Sequence, residues 1–93
     1  METETFASVF DALADTEAEA ANMRARAEIL LALRDRIEAW RLPQEEAAKR
    51  LGLTRPRLND LLRGKIAKFS LDALVSIAAA AGLTIEIRVQ DAA

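Results

Sequence analysis

Ninety-three residues make one small domain with room for a modest core; 52% are hydrophobic, but much of that is alanine, which favours helix more than it fills volume. There is no cysteine and no histidine, which removes disulfides, thiolate zinc sites and most of the usual nucleophiles and general bases, so no enzyme, metal or cofactor is expected. The net charge of −2 argues against a nucleic-acid binder only as an average: residues 1–23 hold six acids and no base, whereas residues 43–69 hold seven bases against three acids.

No apolar run approaches the roughly 20 residues needed to span a bilayer, so no membrane partner is expected. A cysteine-free chain suits a reducing cytoplasm, here beside the nucleoid. Residues 1–15 are expected to form an acidic, partly ordered arm, and residues 16–93 the folded domain. Within the arm, Phe6, Val9, Phe10 and Leu13 follow the spacing of a short amphipathic turn or helix. Asp15 or Thr16 can cap a long helix from Glu17 to Trp40, with Glu17 and Glu19 in the first turn where the helix dipole favours acids. Ile29, Leu30, Leu33, Ile37 and Trp40 form one apolar stripe along it, which reads as core.

Arg41, Leu42 and Pro43 end that helix, and Pro43 begins the next, where a missing N–H is harmless. Over Gln44 to Leu51, residues Ala47, Ala48 and Leu51 face inward, and Gly52 stops the helix by accepting the left-handed conformation. Leu53 plugs the turn and Thr54 caps a second short helix, with Leu58, Leu61 and Leu62 buried and Gly64 closing it. Two short helices joined by about three residues are a helix-turn-helix, expected over residues 44–63.

Steps of about 100° then put Pro56, Asp60 and Arg63 on the outer face, flanked by Arg57 and Asn59, with Arg55 at the tip. That is the place of a recognition helix in a major groove, where Arg pairs with guanine, Asn with adenine, and Asp accepts from cytosine. The DNA-binding residues expected from this face and the basic stretch are Arg55, Pro56, Arg57, Asn59, Asp60, Arg63, Lys65 and Lys68. Asp60 has two open readings: it reads or penalises bases, or it pairs on the surface with Arg57 or Arg63. Because Pro56 biases its predecessor away from the helical region, the recognition helix is expected to start at Pro56, with Arg55 half-extended.

Ser70 caps a further helix with Asp72 in its first turn and Leu71, Leu74, Val75 and Ala78 as its buried side, ended by Gly82. Leu83, Ile85, Ile87 and Val89 then alternate with polar residues, which is strand periodicity over residues 83–89. A lone strand is unstable in water, and a second copy of the chain is its simplest partner. A two-fold homodimer paired through these four residues would present two recognition helices to an inverted-repeat operator on double-stranded DNA.

The run QEEAAKRLGLTRPRLNDLLRG (44–64) resembles the Cro/phage-repressor-type (XRE) helix-turn-helix. The following LLRGKIAKFSLDALVSIAAAAGLTIEIRV is similar to the HigA-like antitoxin branch of that class, as is the opening SVFDAL, so the likeness covers about residues 8 to 90. It departs at Pro43, where Ser or Thr is usual, and at Arg55, where Gln is common. The resemblance implies an all-α fold of about five helices with a central helix-turn-helix plus a short C-terminal strand, transcriptional repression, and DNA-binding phosphate or groove contacts from Gln44, Thr54, Arg55, Arg57, Asn59 and Arg63. It also implies a RelE/HigB-type ribonuclease toxin as partner. A stand-alone repressor with no toxin is the alternative, and the acidic first 23 residues, with Phe6 and Phe10, are the candidate toxin-facing segment.

Overall fold

The computed structural model describes residues 16–91. Its α-helices are α1 (Glu17–Trp40), α2 (Gln44–Leu51), α3 (Arg55–Leu62) and α4 (Leu71–Ala80), with a single 3-10 turn, Ile66–Lys68, between α3 and α4. The described residues thus hold four α-helices and no strand; a fifth helix is not among them, and the apolar spacing from Phe6 to Leu13 falls outside them. No helix among them is long and apolar enough to cross a membrane.

Each helix starts and stops for a local reason. Thr16 caps α1, its hydroxyl accepting from the Glu19 N–H at 3.0 Å. α1 ends where Arg41 turns into the left-handed region at φ 55, its N–H donating to the Glu38 carbonyl. Pro43 opens α2 without a side-chain cap. At the far end Gly52 takes φ 72, and the Gly52 and Leu53 N–H groups donate back to the Lys49 and Ala48 carbonyls. That paired reversal is the turn between α2 and α3, and it folds Leu53 against the core. An added Cβ at Gly52 would meet no neighbour, so the glycine is needed for its backbone angle and not for space.

One core runs through all four helices: Leu30, Leu33 and Ile37 from α1; Ala47, Ala48 and Leu51 from α2; Leu58 and Leu61 from α3; Leu74, Ile77 and Ala78 from α4; and Phe69 and Ala81 from the connecting segments. α1 runs along α4, and α2 packs on α3. The buried side of α4 differs from the expected one. Val75 is exposed and Leu71 only half-buried, because the stripe that packs is Leu74, Ile77, Ala78 and Ala81, and Val75 lies about 100° off it. Leu62 is half-buried at the core's edge.

The segment after Gly82 has no regular secondary structure in the single chain, so the expected strand over 83–89 is not present there. A strand is defined by its ladder, and no segment among the described residues supplies one. Its first apolar residue, Leu83, packs on the chain's own core. The next three, Ile85, Ile87 and Val89, remain exposed, Ile87 and Val89 by 82% and 89%. Ile85 and Ile87 form one wall of a groove whose other walls are Ala21, Ala25 and Ile29 of α1 and Val75 of α4.

Candidate nucleic-acid interface

α2 and α3 approach closely because the residues between them are small: Ala47 and Ala48 are buried, and a longer side chain would hold the helices apart. Leu58 and Leu61 are fully buried beneath α3 and fix which of its faces looks outward. Thr54 caps α3, its hydroxyl accepting from the Arg57 N–H at 3.2 Å. With that cap in place the helix begins at Arg55, not at Pro56 as expected. Pro56 falls at the second helical position, where its missing N–H has no helical partner to lose, and Arg55 is helical in spite of the proline after it.

Arg55 and Pro56 are exposed on α3 and Arg63 just past its end, Asn59 is half-buried on the helix, and Gln44 is exposed at the start of α2. Lys65, which caps the 3-10 turn that follows, and Lys68 at its end are exposed. The Arg55 and Arg63 side chains make no hydrogen bond or ion pair with the described residues, so both cations are free at the surface.

Asp60 and Arg57 are held differently. The Asp60 carboxylate lies 3.4 Å from the Lys65 ammonium and 3.4 Å from that of Lys68. Its surface pairing is therefore with the turn lysines and not with Arg57 or Arg63. The reversal at Gly64 explains this: the Lys65 N–H donates to the Asp60 carbonyl, which brings the chain back over the end of α3. Partial desolvation favours the neutral carboxyl, but hydrogen bonds and charge from Lys68 and Lys65 outweigh it, and the Asp60 pKa lies below its ordinary value.

The Arg57 guanidinium turns away from the outer face. It donates to the Lys68 carbonyl at 2.9 Å and stacks 4.0 Å from the centre of the Phe69 ring. From the opposite side Arg26 of α1 donates to the Ile66 and Phe69 carbonyls at 3.3 and 3.2 Å. Two guanidiniums thus bracket a turn whose own helical bonds are too few to fix it. A third arginine, Arg36, donates to the Ala81 carbonyl at 2.9 Å, placing a cation at the C-terminus of α4.

Sequence reasoning missed Arg26 and Phe69, although a signal was present. Arg26, Leu30, Leu33 and Ile37 are spaced i, i+4, i+7, i+11, so Arg26 continues the buried stripe of α1. An arginine on a core-facing stripe has to find acceptors, and the turn carbonyls are those acceptors.

No curated protein matches the chain. A family model described as a helix-turn-helix domain matches residues 12–90, from before α1 to the end of the tail. That span includes every element whose geometry is given above, and the chain belongs to this helix-turn-helix, DNA-binding family.

Proposed function

We propose that this chain is a sequence-specific, double-stranded-DNA-binding transcriptional repressor that acts as a homodimer. One observation carries the reading: α3 is an eight-residue helix, capped by Thr54 and seated on a fully buried face, with the unpartnered Arg55 at its exposed N-terminus. Such a helix enters a major groove tip first. In this reading Arg55 pairs with a guanine and Asn59 with an adenine, and Pro56 makes apolar contact with the groove. Gln44, Thr54, Arg63, Lys65 and Lys68 hold backbone phosphates and set the register. Arg57 has the different role of positioning the turn that carries the two lysines.

The tail supports the homodimer. Leu83 anchors it to its own domain, and Ile85, Ile87 and Val89 leave an apolar, alternating segment for a second copy to pair with about a two-fold axis. The operator is then an inverted repeat. The HigA-like sequence from residue 61 to 89 supports a narrower reading, in which the protein is the antitoxin of a HigBA/RelE-type pair and represses its own operon. The acidic residues 1–15 then face a basic toxin.

A gel-shift titration on the DNA immediately upstream of the gene, with random competitor and at two salt concentrations, tests the central claim. A discrete shift that survives competitor is expected, and binding that competitor abolishes would refute it. Co-purification from the native host separates the antitoxin from a stand-alone repressor. The antitoxin brings down a small basic ribonuclease, and deleting residues 1–15 releases that partner while leaving the DNA shift intact.

A further inference from the structure

Asp60 is an odd residue for a phosphate-binding surface. It lies on the same face as Pro56 and Arg63, a position where a carboxylate repels every phosphate. It is nonetheless engaged: the two ion pairs found among the described residues both converge on it, one from each lysine of the 3-10 turn. Its side chain is 20% exposed, against 44% and 56% for Lys65 and Lys68, so the carboxylate sits beneath the ammonium groups with solvent on their far side. Arg57 and Arg26 fix the backbone of that turn through its carbonyls, so the lysines are held over Asp60 by the fold and not by their own pairing alone.

We infer that Asp60 is an internal counter-anion: it occupies Lys65 and Lys68 until a DNA phosphate displaces it, and thereby weakens binding to the wrong sequences. The inference rests on the proposed DNA-binding role and adds a determinant of specificity to it. On non-specific DNA a protein is held mainly by long-range attraction between cations and phosphates, across intervening solvent. Asp60 subtracts from that attraction on every sequence. When α3 is seated in its operator, phosphates come within hydrogen-bonding reach of the turn. Charge-assisted bonds to phosphate oxygens then replace pairs that are solvent-exposed and weak. The lysines therefore act fully only after α3 has found its site.

The substitution that tests this is Asp60→Asn, close to isosteric at a partly buried position. Glu45→Gln is the control. Glu45 is exposed in the same basic module and touches neither lysine, so it changes the formal charge equally without releasing them. Fluorescence anisotropy would be measured on the upstream duplex and on a random duplex across a salt series, alongside elution from heparin. Asp60→Asn is expected to tighten random-duplex binding by about threefold to tenfold and to steepen its salt dependence by about one to two phosphate equivalents. It should raise operator affinity less and elute later from heparin, and Glu45→Gln should do little of this. Equal effects of the two substitutions would mean that net charge alone is responsible and would overturn the inference. So would a changed base preference in Asp60→Asn, which would make Asp60 a base reader, or unchanged random-duplex and heparin binding. If no sequence-dependent binding occurs in any variant but the heparin shift separates Asp60→Asn from Glu45→Gln, the proposed function fails while the counter-anion role of Asp60 stands.

Discussion

Between Thr54 and Phe69 most of the polar side chains behind the outward arginines Arg55 and Arg63 are tied down within the chain. Thr54 holds the start of α3, Asp60 holds two lysines, and Arg57 closes on the Lys68 carbonyl and the Phe69 ring. Beyond Gly82 the chain is no less regular in sequence, but Ile85, Ile87 and Val89 face solvent. The two regions are completed by different means. A turn of a few residues can be fixed inside one chain by guanidiniums and carboxylates that reach across it. The alternating segment leaves its backbone groups to water in the single chain, and in the proposed homodimer a second edge takes them up.

If that contrast is right, the first region should fail by local unfolding and the second by loss of association. The largest effect is expected from Phe69→Ala, which empties a fully buried site and removes the ring beneath Arg57. It should cost about 3–5 kcal/mol of stability, read as a drop in the urea midpoint. Next is Ile87→Lys, at a position too exposed in the single chain to affect folding. If the tail pairs with a second copy, the lost burial is about 1.5–3 kcal/mol, or about tenfold to a hundredfold in the dimer dissociation constant by sedimentation. An unchanged constant would remove the tail from the interface.

Arg57→Ala should cost about 1–2 kcal/mol, through a charged hydrogen bond and a ring contact. Thermal melts would show the loss, and proteolysis should begin in the turn. The smallest effect concerns pH. Asp60 has a folded pKa below its ordinary 3.8, so its pairs stabilise the protein above that value and are lost as pH falls through the lower folded one. The melting temperatures of wild type and Asp60→Asn, followed from about pH 5 to about pH 2, should converge as acid is added.

Much of the fold is legible in the sequence because it is written in local signals. Thr54, Ser70 and Gly52 act at their own positions, and the expected bounds Glu17–Trp40 and Gln44–Leu51 match the helices observed. The start of α3 at Arg55 was less legible, because a cap and a following proline pull in opposite directions and the cap prevails. On α4 the alanine-rich sequence offers two apolar stripes of similar weight, and only packing against α1 selects the one with Ile77 over the one with Val75. The site was legible as a face but not as a set of partners. Periodicity puts Asp60 outward. It does not show that the chain doubles back at Gly64 to set Lys65 and Lys68 against it, or that Arg57 is drawn across to a ring twelve residues on.

Arg26 combines two carbonyl bonds through Nη1 with a buried Nε that has no partner. An Nε–H shielded from water exchanges its proton slowly, whereas those of exposed arginines exchange too fast to be seen near neutral pH. Arg26 should therefore give a resolved guanidinium Nε–H resonance of its own. Its position would report on the Ile66–Lys68 turn, and its persistence when DNA is added would show that the turn stays closed as the lysines change partners.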